Sequence, residues 1–489
     1  MTSRAGPGLE PSALPAAWSE HWRGAPERPA LFDAAHGWLA WGALERDSAR
    51  AAGRLAGAGL AAGDRVLISA ASSVALAVAH VACLRLGLVL VPANPAYAAP
   101  ELAALVAAAR PRLALVDDEA RAAALRALGL FVATPALPLP ERPAPRLDAL
   151  GPEAPALLAY TSGTTGRPKG ALLSHGNLYA SAEALRRAWR WTPADRLVHA
   201  LPLFHVHGLG VALLGTLHAG ASAVLLPRFE PGAVLDAVAR HAATLFFGVP
   251  TMWHRLAEHP RVEVLRALRL AVSGSAPLAE ELHARLARAG IRVLERYGMT
   301  ETGMLASNPL DGERRPGAVG FPLPGVELRL AAGGGIEVRG PNVFAGYLER
   351  PDANAAAFTA DGWFQTGDLG ALDPDGYLRI VGRAKELVIS GGQNVHPREV
   401  EEALCAHPDV TEAAVVGTPS AEWGELVTAY LVSRRELTLD EVRRHLADRL
   451  APYKHPRQLH RVPELPRNAL GKLQRHRLRA GRVLGEPPE

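Results

Sequence analysis

The sequence is poor in cysteine, and its two thiols, Cys83 and Cys405, each lie within an apolar helical pattern. Two isolated cysteines cannot form a disulfide framework, and this usage is typical of a protein kept in a reducing compartment. The N-terminus also lacks an apolar stretch of signal-peptide length. Both absences predict a cytoplasmic protein.

A membrane span and a strong charge of one sign are absent as well. The stretch 66–84 carries no formal charge, but three serines and His80 interrupt it, which favours a strand, a turn and a helix. Lys and Arg outnumber Asp and Glu by only 53 to 49, too small an excess to indicate nucleic-acid binding. No tandem repeat is present, which excludes a solenoid. We expect no nucleic acid and no membrane as partner, and a monomer or weak homodimer.

The sequence does contain a regular alternation of short apolar runs and helical patterns, beginning at about residue 64. The runs DRVLISA, LVLVPA and RLALVD come first, and ASAVLL, TLFFG, LRLAVSG and IRVLE follow, with amphipathic segments between them. Such alternation is typical of an α/β fold in which helices cover both faces of parallel sheets.

The pattern changes after residue 330, where short strands and tight turns such as Asp375-Gly376 precede a compact α+β segment. We therefore predict two lobes. Residues 1–382 form a large lobe of helix-covered, mostly parallel sheets with a small β subdomain, and residues 383–489 form a small, mobile α+β lobe. The basic residues from Leu473 onward are expected to fray.

The run TSGTTGRPKG, residues 161–170, lies between two apolar strands. Its small residues allow close approach to a phosphate chain, its hydroxyls and amides supply donors, and Lys169 adds charge. It is not a Walker A loop, because Pro168 precedes Lys169 and Gly170 stands where Walker A has Ser or Thr. A flexible turn is the other interpretation. The residues expected to contact phosphate are Thr161, Ser162, Gly163, Thr164 and Thr165.

This run resembles the phosphate loop of the acyl-adenylate-forming superfamily, which includes acyl-CoA synthetases, luciferases and peptide-synthetase adenylation domains. Further motifs of that superfamily follow in order: SGSAPL (273–278), YGMTE (297–301), TGD (366–368), GR (382–383), GGQNVHPREVE (391–401) and PRNALGK (466–472). The resemblance implies an enzyme that uses ATP and Mg²⁺ to convert a carboxylic acid into an acyl-adenylate. The acyl group then passes to a thiol, that of coenzyme A.

The resemblance also implies a nucleotide site at the carboxyl ends of the parallel strands. Tyr297 would stack on adenine, Thr300 would donate to the α-phosphate and Glu301 would bind Mg²⁺. Asp368 would accept the ribose hydroxyls with help from Arg383. The residues expected to bind ATP or AMP beyond the phosphate run are Gly274, Ser275, Ala276, Pro277, Glu295, Tyr297, Gly298, Met299, Asp368 and Arg383.

By the same resemblance, Lys472 reaches the adenylation site, where an ammonium group stabilises the charge that develops at the α-phosphate. The expected catalytic residues are Lys472, Thr300, Glu301 and Lys169. The small lobe is expected to rotate about Lys385 and to bring the Gly391-Gly392 turn to a thiol channel that includes His205.

Two arginines lie in segments that correspond to the acyl pocket. Arg255 stands in VPTMWHRL, and Arg296 immediately precedes Tyr297. Since a desolvated arginine is costly without a partner, the pair predicts a second carboxylate on the substrate. The alternatives are a salt bridge between Arg255 and Glu258 and a surface position for Arg296.

The segments LPLFHVHGL, FGVPTMWHRL, LERYGMTET, SNPLDGERRPGAVG and GPNVFAGY resemble malonyl-CoA synthetases. This resemblance implies that Arg255 and Arg296 clamp the distal carboxylate, that His207 and Ser273 line the pocket, and that Met304 limits room at the α-carbon. The predicted function is malonate–CoA ligase, with methylmalonate also accepted. The alternatives are a ligase for another small (di)carboxylate, an acyl-AMP ligase that loads a carrier protein, and a silent nucleotide-binding protein.

Overall fold

The computed structural model describes residues 9–143, 146–161, 169–420, 422–468 and 471–479, and it is an α/β fold in two lobes. The first part of the large lobe alternates helices and strands as predicted. Its elements are α1 (Leu14–Gly24), β1 (Pro29–Asp33), β2 (Gly37–Ala40), α2 (Trp41–Gly57), β3 (Arg65–Ser69), α3 (Val74–Leu86), β4 (Val89–Pro92), α4 (Ala99–Ala109), β5 (Leu113–Val116), α5 (Glu119–Ala127), β6 (Phe131–Ala133) and β7 (Pro155–Thr161).

The second part of the large lobe repeats the alternation and then passes into short strands. Its elements are β8 (Lys169–Ser174), α6 (His175–Ala188), β9 (Arg196–His199), α7 (Leu214–His218), β10 (Ser222–Leu225), α8 (Pro231–Arg240), β11 (Leu245–Gly248), α9 (Pro250–Glu258), β12 (Leu270–Ser273), α10 (Glu280–Arg288), β13 (Val293–Met299), β14 (Gly303–Ser307), β15 (Ala318–Pro322), β16 (Glu327–Leu330), β17 (Gly335–Arg339), β18 (Gly346–Tyr347), α11 (Pro351–Ala357), β19 (Phe364–Leu372) and β20 (Leu378–Arg383).

The small lobe has its own sheet, joined to the large lobe by a single 3₁₀ turn, Ala384–Glu386. Its elements are β21 (Val388–Ser390), β22 (Gln393–Val395), α12 (Pro397–Cys405), β23 (Val410–Ser420), β24 (Gly424–Ser433), α13 (Leu439–Leu446), β25 (Gln458–Arg461) and α14 (Arg475–Arg479).

The large lobe contains two sheets. One runs β18-β8-β7-β4-β3-β5-β6, and the other has 13 strands in the order β16-β17-β19-β20-β15-β14-β13-β12-β11-β9-β10-β1-β2. The strands between β1 and β13 in the larger sheet pair in parallel, whereas those from β13 to β16 pair antiparallel. The predicted β subdomain therefore continues this sheet, because the backbone of β13 is shared between the two regions.

The C-terminal residues are more structured than predicted. Leu478 in α14 is 1% exposed and packs on Tyr430, whose hydroxyl donates to the Leu478 carbonyl at 3.0 Å. Arg475 donates to both carboxylate oxygens of Glu401 at 2.7 Å and pairs with Glu386 at 3.0 Å. The expectation that the chain frays from Leu473 is thus wrong as far as Arg479, because a buried leucine and a paired arginine anchor the helix. Residues 480–489 lie outside the described part.

The uncharged stretch 66–84 forms β3 and most of α3, as predicted. In the described ranges no helix combines the length and the apolar character needed to cross a membrane.

The buried carboxylate of Asp195 links the amino ends of β9, β11 and β12. The carboxyl ends of these strands reach the site described below. Asp195, 3% exposed, precedes β9 and accepts from Arg269 Nε at 2.6 Å and Thr244 Oγ1 at 2.8 Å. Thr244 precedes β11 and Arg269 precedes β12. Burial raises the pKa of Asp195, but the hydrogen bonds from Arg269 and its other donors outweigh burial and leave the pKa below its usual value.

Replacing Arg269 with Met would leave this carboxylate buried without its cation. We expect a loss of about 3 kcal/mol in the free energy of unfolding, which is typical of breaking a buried pair from one side. Chemical denaturation followed by circular dichroism measures it. Arg240→Ala is the matched control, because Arg240 is 75% exposed in its pair with Asp236 and should cost less than about 1 kcal/mol. Equal losses in the two variants would contradict the role given to Asp195.

Candidate active site

The candidate site lies at the carboxyl ends of the parallel strands in the larger sheet, where open α/β sheets bind ligands. β12 ends there in Ser273, and β13 pairs with it in parallel as far as Glu295. From Arg296 onward β13 pairs instead with β14 in antiparallel register. This change of partner makes Glu295–Arg296 a switch point in the sheet.

Arg296 is buried at this point without a partner for its charge. It is 5% exposed, and its Nε and Nη2 find no hydrogen-bond acceptor among the described residues. Gly274 admits the guanidinium, because a β-carbon there would collide with it. Burial lowers the pKa of Arg296 to about 9, so the group remains cationic at neutral pH. An uncompensated buried cation is costly, and an anionic ligand would supply the missing acceptor.

Two further buried polar atoms lack hydrogen-bond partners among the described residues: His207 Nε2, in a residue close to Arg296, and Ser273 Oγ, at the end of β12. Each residue is 1% exposed. His207 Nδ1 lies 3.2 Å from Ser275 Oγ, and the His207 backbone N–H donates to His205 Nδ1 at 3.1 Å. Burial and the nearby Arg296 hold the pKa of His207 well below its usual value, and the pKa of His205 falls to about 4 for the same reasons. Both imidazoles are therefore neutral at neutral pH.

Glu301 forms a second polar centre. It is 5% exposed, burial raises its pKa, and it accepts a hydrogen bond from the Tyr347 hydroxyl at 2.9 Å. The Lys169 ammonium lies 5.1 Å from the centre of the Tyr347 ring, within cation–π range. Thr300, partly buried, precedes Glu301 in the turn after β13. A hard carboxylate oxygen, with a lysine nearby, fits Mg²⁺, which proteins hold with few carboxylates and with substrate phosphates.

Asp368 forms the third centre, on β19. It is 4% exposed, and its two oxygens accept from the Tyr297 hydroxyl at 2.6 Å and from Arg383 Nε at 2.9 Å. Burial, reinforced by Asp368, raises the pKa of Tyr297 well above its usual value, so the phenol stays a donor. Each carboxylate oxygen retains a free lone pair and can accept one further hydroxyl.

The small lobe reaches this cleft through the loop that carries Lys472. Gly471 adopts a φ of +73°, and a β-carbon there would lie 2.9 Å from Thr251 Oγ1, at the start of α9 in the large lobe. Although Lys472 is solvent-exposed, desolvation by the surrounding protein and the Arg383 cation lower its pKa, while nearby carboxylates oppose the shift. Those carboxylates are Asp368, Glu386 and Glu301. The ammonium therefore lies within electrostatic range of both polar centres.

Comparison with known proteins agrees with this geometry. Residues 18–348 match the model of the AMP-binding enzyme family, and residues 399–472 match the AMP-binding enzyme C-terminal domain. The chain belongs to the AMP-binding enzyme family. It is an AMP-forming acyl-CoA ligase of the acyl-adenylate-forming superfamily, as the motifs implied.

Individual relatives act on different acids. The chain is 40% identical to a sulfoacetate–CoA ligase of Cupriavidus necator over 96% of this chain and 97% of that one. It is 40% identical to a malonate–CoA ligase of Arabidopsis thaliana over 66% of this chain and 60% of that one. The crystal structure of ATP-bound MatB from Rhodopseudomonas palustris superposes with a TM-score of 0.90, at 41% identity, over 96% of this chain and 99% of that one.

In this AMP-binding enzyme Arg255 does not join Arg296. It lies on the exposed face of α9, opposite the buried Trp253 and Leu256, and its guanidinium stacks on Phe229 at 5.3 Å. The rotation of the helix decides this, since its apolar face turns Arg255 toward solvent. The predicted pair of arginines is not formed, because Arg296 is buried and Arg255 is exposed. The alternative prediction, a salt bridge between Arg255 and Glu258, is not formed either. Glu258 pairs instead with His254 at 3.3 Å.

Glu295 also differs from its predicted role at the nucleotide. Its carboxylate accepts from the backbone N–H groups of Gly317 at 2.9 Å and Leu278 at 3.3 Å. Burial raises its pKa to about 7 despite these hydrogen bonds. The side chain thus anchors the turn after β12, and Ser275, Ala276 and Pro277 of that turn are partly or fully exposed toward the cleft.

The remaining predicted residues lie as follows. Gly298 contacts Met304 closely, since a β-carbon there would lie 2.7 Å from Met304 Cε, and Met304 is 2% exposed. Met299 ends β13. Lys385 lies in the turn between the lobes, and Gly391 and Gly392 form the exposed β21–β22 turn beside Trp423. Thr161 ends β7, and Ser162, Gly163, Thr164 and Thr165 lie outside the described residues.

Two site residues were missed by sequence reasoning. Tyr347 touches both Glu301 and Lys169, and Thr251 meets the Lys472 loop. Tyr347 ends GPNVFAGY, a segment noted for its resemblance, yet only the pairing of β18 with β8 brings it beside Lys169.

Glu295→Gln should change the pH dependence of stability. A carboxyl whose pKa rises from 4.5 to about 7 on folding favours the folded state at low pH and loses that contribution as pH rises through 7. Relative to the variant, the wild type should lose on the order of 3 kcal/mol between these pH values. Denaturation across the pH range measures the difference. Glu281→Gln, an exposed neighbour on α10, should show none, and parallel curves for wild type and Glu295→Gln would refute the assignment.

Proposed function

We propose that this acyl-CoA ligase acts on a short carboxylic acid that carries a second anionic group, with malonate as the leading substrate and methylmalonate also accepted. The observation that carries the proposal is the buried Arg296 guanidinium, whose Nε and Nη2 lack an acceptor among the described residues. His207 Nε2, close to Arg296, and Ser273 Oγ, at the end of β12, are further buried polar atoms without a partner among the described residues. A distal carboxylate would receive a two-point hydrogen bond from the guanidinium.

The burial of Met304 close to Arg296 along the sheet supports a short acid. Met304 is buried against Gly298 on the β13–β14 hairpin, directly after Arg296 along the sheet. A long apolar chain would have to displace Met304 and to pass an uncompensated cation. One additional methyl group changes binding by only about 1–3 kcal/mol, so methylmalonate remains acceptable.

In the first half-reaction, the acid held at Arg296 directs its other carboxylate toward the α-phosphorus of ATP. An oxygen of that carboxylate attacks phosphorus, and pyrophosphate leaves. Lys472 and Thr300 stabilise the charge on the α-phosphate oxygens, and Asp368 orients the ribose. Mg²⁺ held by Glu301 would neutralise charge on the phosphates.

In the second half-reaction, the coenzyme A thiol attacks the acyl carbon, the bond to the phosphate oxygen breaks, and AMP leaves. Rotation about Lys385 would withdraw Lys472 and bring the Gly391-Gly392 turn to the cleft. His205, neutral beside His207, would border the thiol channel. The named relatives are CoA ligases, which favours coenzyme A over a carrier protein as acceptor.

Sulfoacetate is the second candidate substrate. Since Arg255 faces solvent, the pocket holds one guanidinium beside a hydroxyl and an imidazole, and this set of donors also suits the three oxygens of a sulfonate. The sulfoacetate–CoA ligase of Cupriavidus necator matches nearly the whole chain.

A substrate panel with two arginine variants tests the proposal. We expect pyrophosphate release with malonate, methylmalonate or sulfoacetate to exceed that with succinate, acetate or butyrate. Arg296→Gln should lower kcat/KM for the dianionic acids by about 100-fold or more, because a charge-assisted hydrogen-bond pair is lost, and should affect acetate less.

Arg255→Gln is the matched control and should leave the preference unchanged, since Arg255 stacks on Phe229 outside the pocket. An equal loss on acetate in Arg296→Gln, or a preference of the wild type for an acid without a second anionic group, would refute the anion site. If Arg255→Gln lost the preference for dianionic acids, the prediction that Arg255 and Arg296 together bind the distal anion would be supported instead.

Lys472→Ala tests the adenylation role. We expect acyl-AMP formation to fall by about 100-fold or more, while the thiol-transfer step from synthetic malonyl-AMP persists. Arg477→Ala, an exposed position in the same tail, serves as the control and should keep both activities. Equal loss of both half-reactions in Lys472→Ala would argue for a structural role instead.

A further inference from the structure

Ser275 combines an unusual backbone conformation with a contact to His207 in the candidate acid site. Its φ of +71° lies in the left-handed region that non-glycine residues avoid. Such conformations persist where the surrounding structure requires them, often at functional sites. Here the turn after β12 carries the Ser275 hydroxyl to within 3.2 Å of His207 Nδ1.

His207 contacts Ser275 through ring nitrogen Nδ1, and its other ring nitrogen, Nε2, is buried. Nε2 has no hydrogen-bond partner among the described residues, and the residue is 1% exposed beside Arg296. A neutral imidazole carries a single proton and exists as two tautomers. The tautomer decides whether Nε2 donates a hydrogen bond into the pocket or presents a lone pair to it.

A hydroxyl can donate as well as accept. When Ser275 donates to Nδ1, the proton of the imidazole is on Nε2, and both nitrogens are satisfied once an anion occupies the pocket. Without the hydroxyl, the same tautomer leaves Nδ1 as a buried acceptor with no donor from Ser275. The other tautomer would then turn a lone pair toward the anion, which is repulsive.

We propose that Ser275 is a positioning residue that holds His207 in the Nε2–H tautomer, so that the imidazole donates to the distal anionic group of the acid. The proposal rests on the proposed function, because it requires an acid with such a group. It assigns the Ser275 hydroxyl to acid selection, whereas the sequence motif predicted a nucleotide contact.

This role has a consequence for specificity. Arg296 supplies the charge, and His207 adds a neutral donor, so the pocket gains a hydrogen bond without a second buried cation to desolvate. An acid without a distal anionic group, such as butyrate, gains nothing from that donor. Loss of the hydroxyl should therefore weaken dianionic acids selectively, and it should leave the apparent affinity for ATP nearly unchanged.

Steady-state kinetics of four variants test the idea: Ser275→Ala, Ser275→Gly, His207→Gln and the double variant Ser275→Ala/His207→Gln. Ser275→Ala should raise KM for malonate or sulfoacetate by about 10-fold to 100-fold, with a smaller change in kcat and in the KM for ATP. Ser275→Gly relaxes the backbone but also lacks the hydroxyl, so it should show the same selective loss.

Glutamine at 207 offers an amide near the Nε2 position and no atom equivalent to Nδ1. Removing the Ser275 hydroxyl from the His207→Gln enzyme should therefore add little to the defect already present. This non-additivity is the expected signature of two residues that act through one hydrogen bond. Full additivity of the two losses would overturn the proposal.

Nitrogen-15 NMR of histidine-labelled enzyme gives a readout that does not depend on turnover. The His207 signals, assigned by their absence in His207→Gln, should report the Nε2–H tautomer in the wild type and a shift toward Nδ1–H in Ser275→Ala. An unchanged tautomer, or a rise in the KM for ATP as large as that for the acid, would refute the role. If the wild-type enzyme were inactive on both malonate and sulfoacetate, the proposed function would be refuted, whereas the tautomer measurement would still report on His207.

Discussion

The change of partner of β13 is the constraint on which the site depends. Up to Glu295 the strand pairs in parallel with β12, and from Arg296 it pairs antiparallel with β14. Because successive side chains of a strand point to opposite faces, Glu295 and Arg296 diverge at this point. Glu295 anchors the turn after β12, and Arg296 enters the pocket against Gly274. Three residues after Arg296 the strand ends at Met299, and the turn that follows carries Thr300 and Glu301.

Opposite charges are distributed around the cleft in a way that suits a polyanionic substrate. The cations Lys169, Arg383 and Lys472 come from three separate parts of the chain, and the carboxylates Asp368 and Glu301 lie between them. The small lobe contributes the loop of Lys472, which rests on Thr251 through Gly471. Since a single 3₁₀ turn joins the two lobes, the position of Lys472 depends on that turn and on the ion pairs of Arg475.

Much of the fold could be predicted from local sequence patterns. The strands of the α/β part fall where the apolar runs predicted them, and the antiparallel hairpin of β19 and β20 forms around Asp375-Gly376. Lysine offered an additional signal: Lys169, Lys385, Lys454 and Lys472 are the lysines among 53 basic residues. In a chain whose surface charge is supplied by arginine, three of these lysines fall within the phosphate run, the turn between lobes and the C-terminal motif.

The period of apolar residues is a local property, so the order of patterns along the chain was enough to predict the fold class and the two lobes. The AMP-binding chemistry was implied by the resemblance of the motifs to a known superfamily. Which side chains meet is a different question, because it depends on the rotation of each helix and the partner of each strand. The same residue type behaves oppositely at Arg255 and Arg296: the apolar face of α9 turns the first toward solvent, whereas the switch in β13 buries the second. Tyr347, the anchoring role of Glu295 and the neutral state of His207 likewise follow from burial and contacts across the sheet, and no spacing in the sequence encodes them.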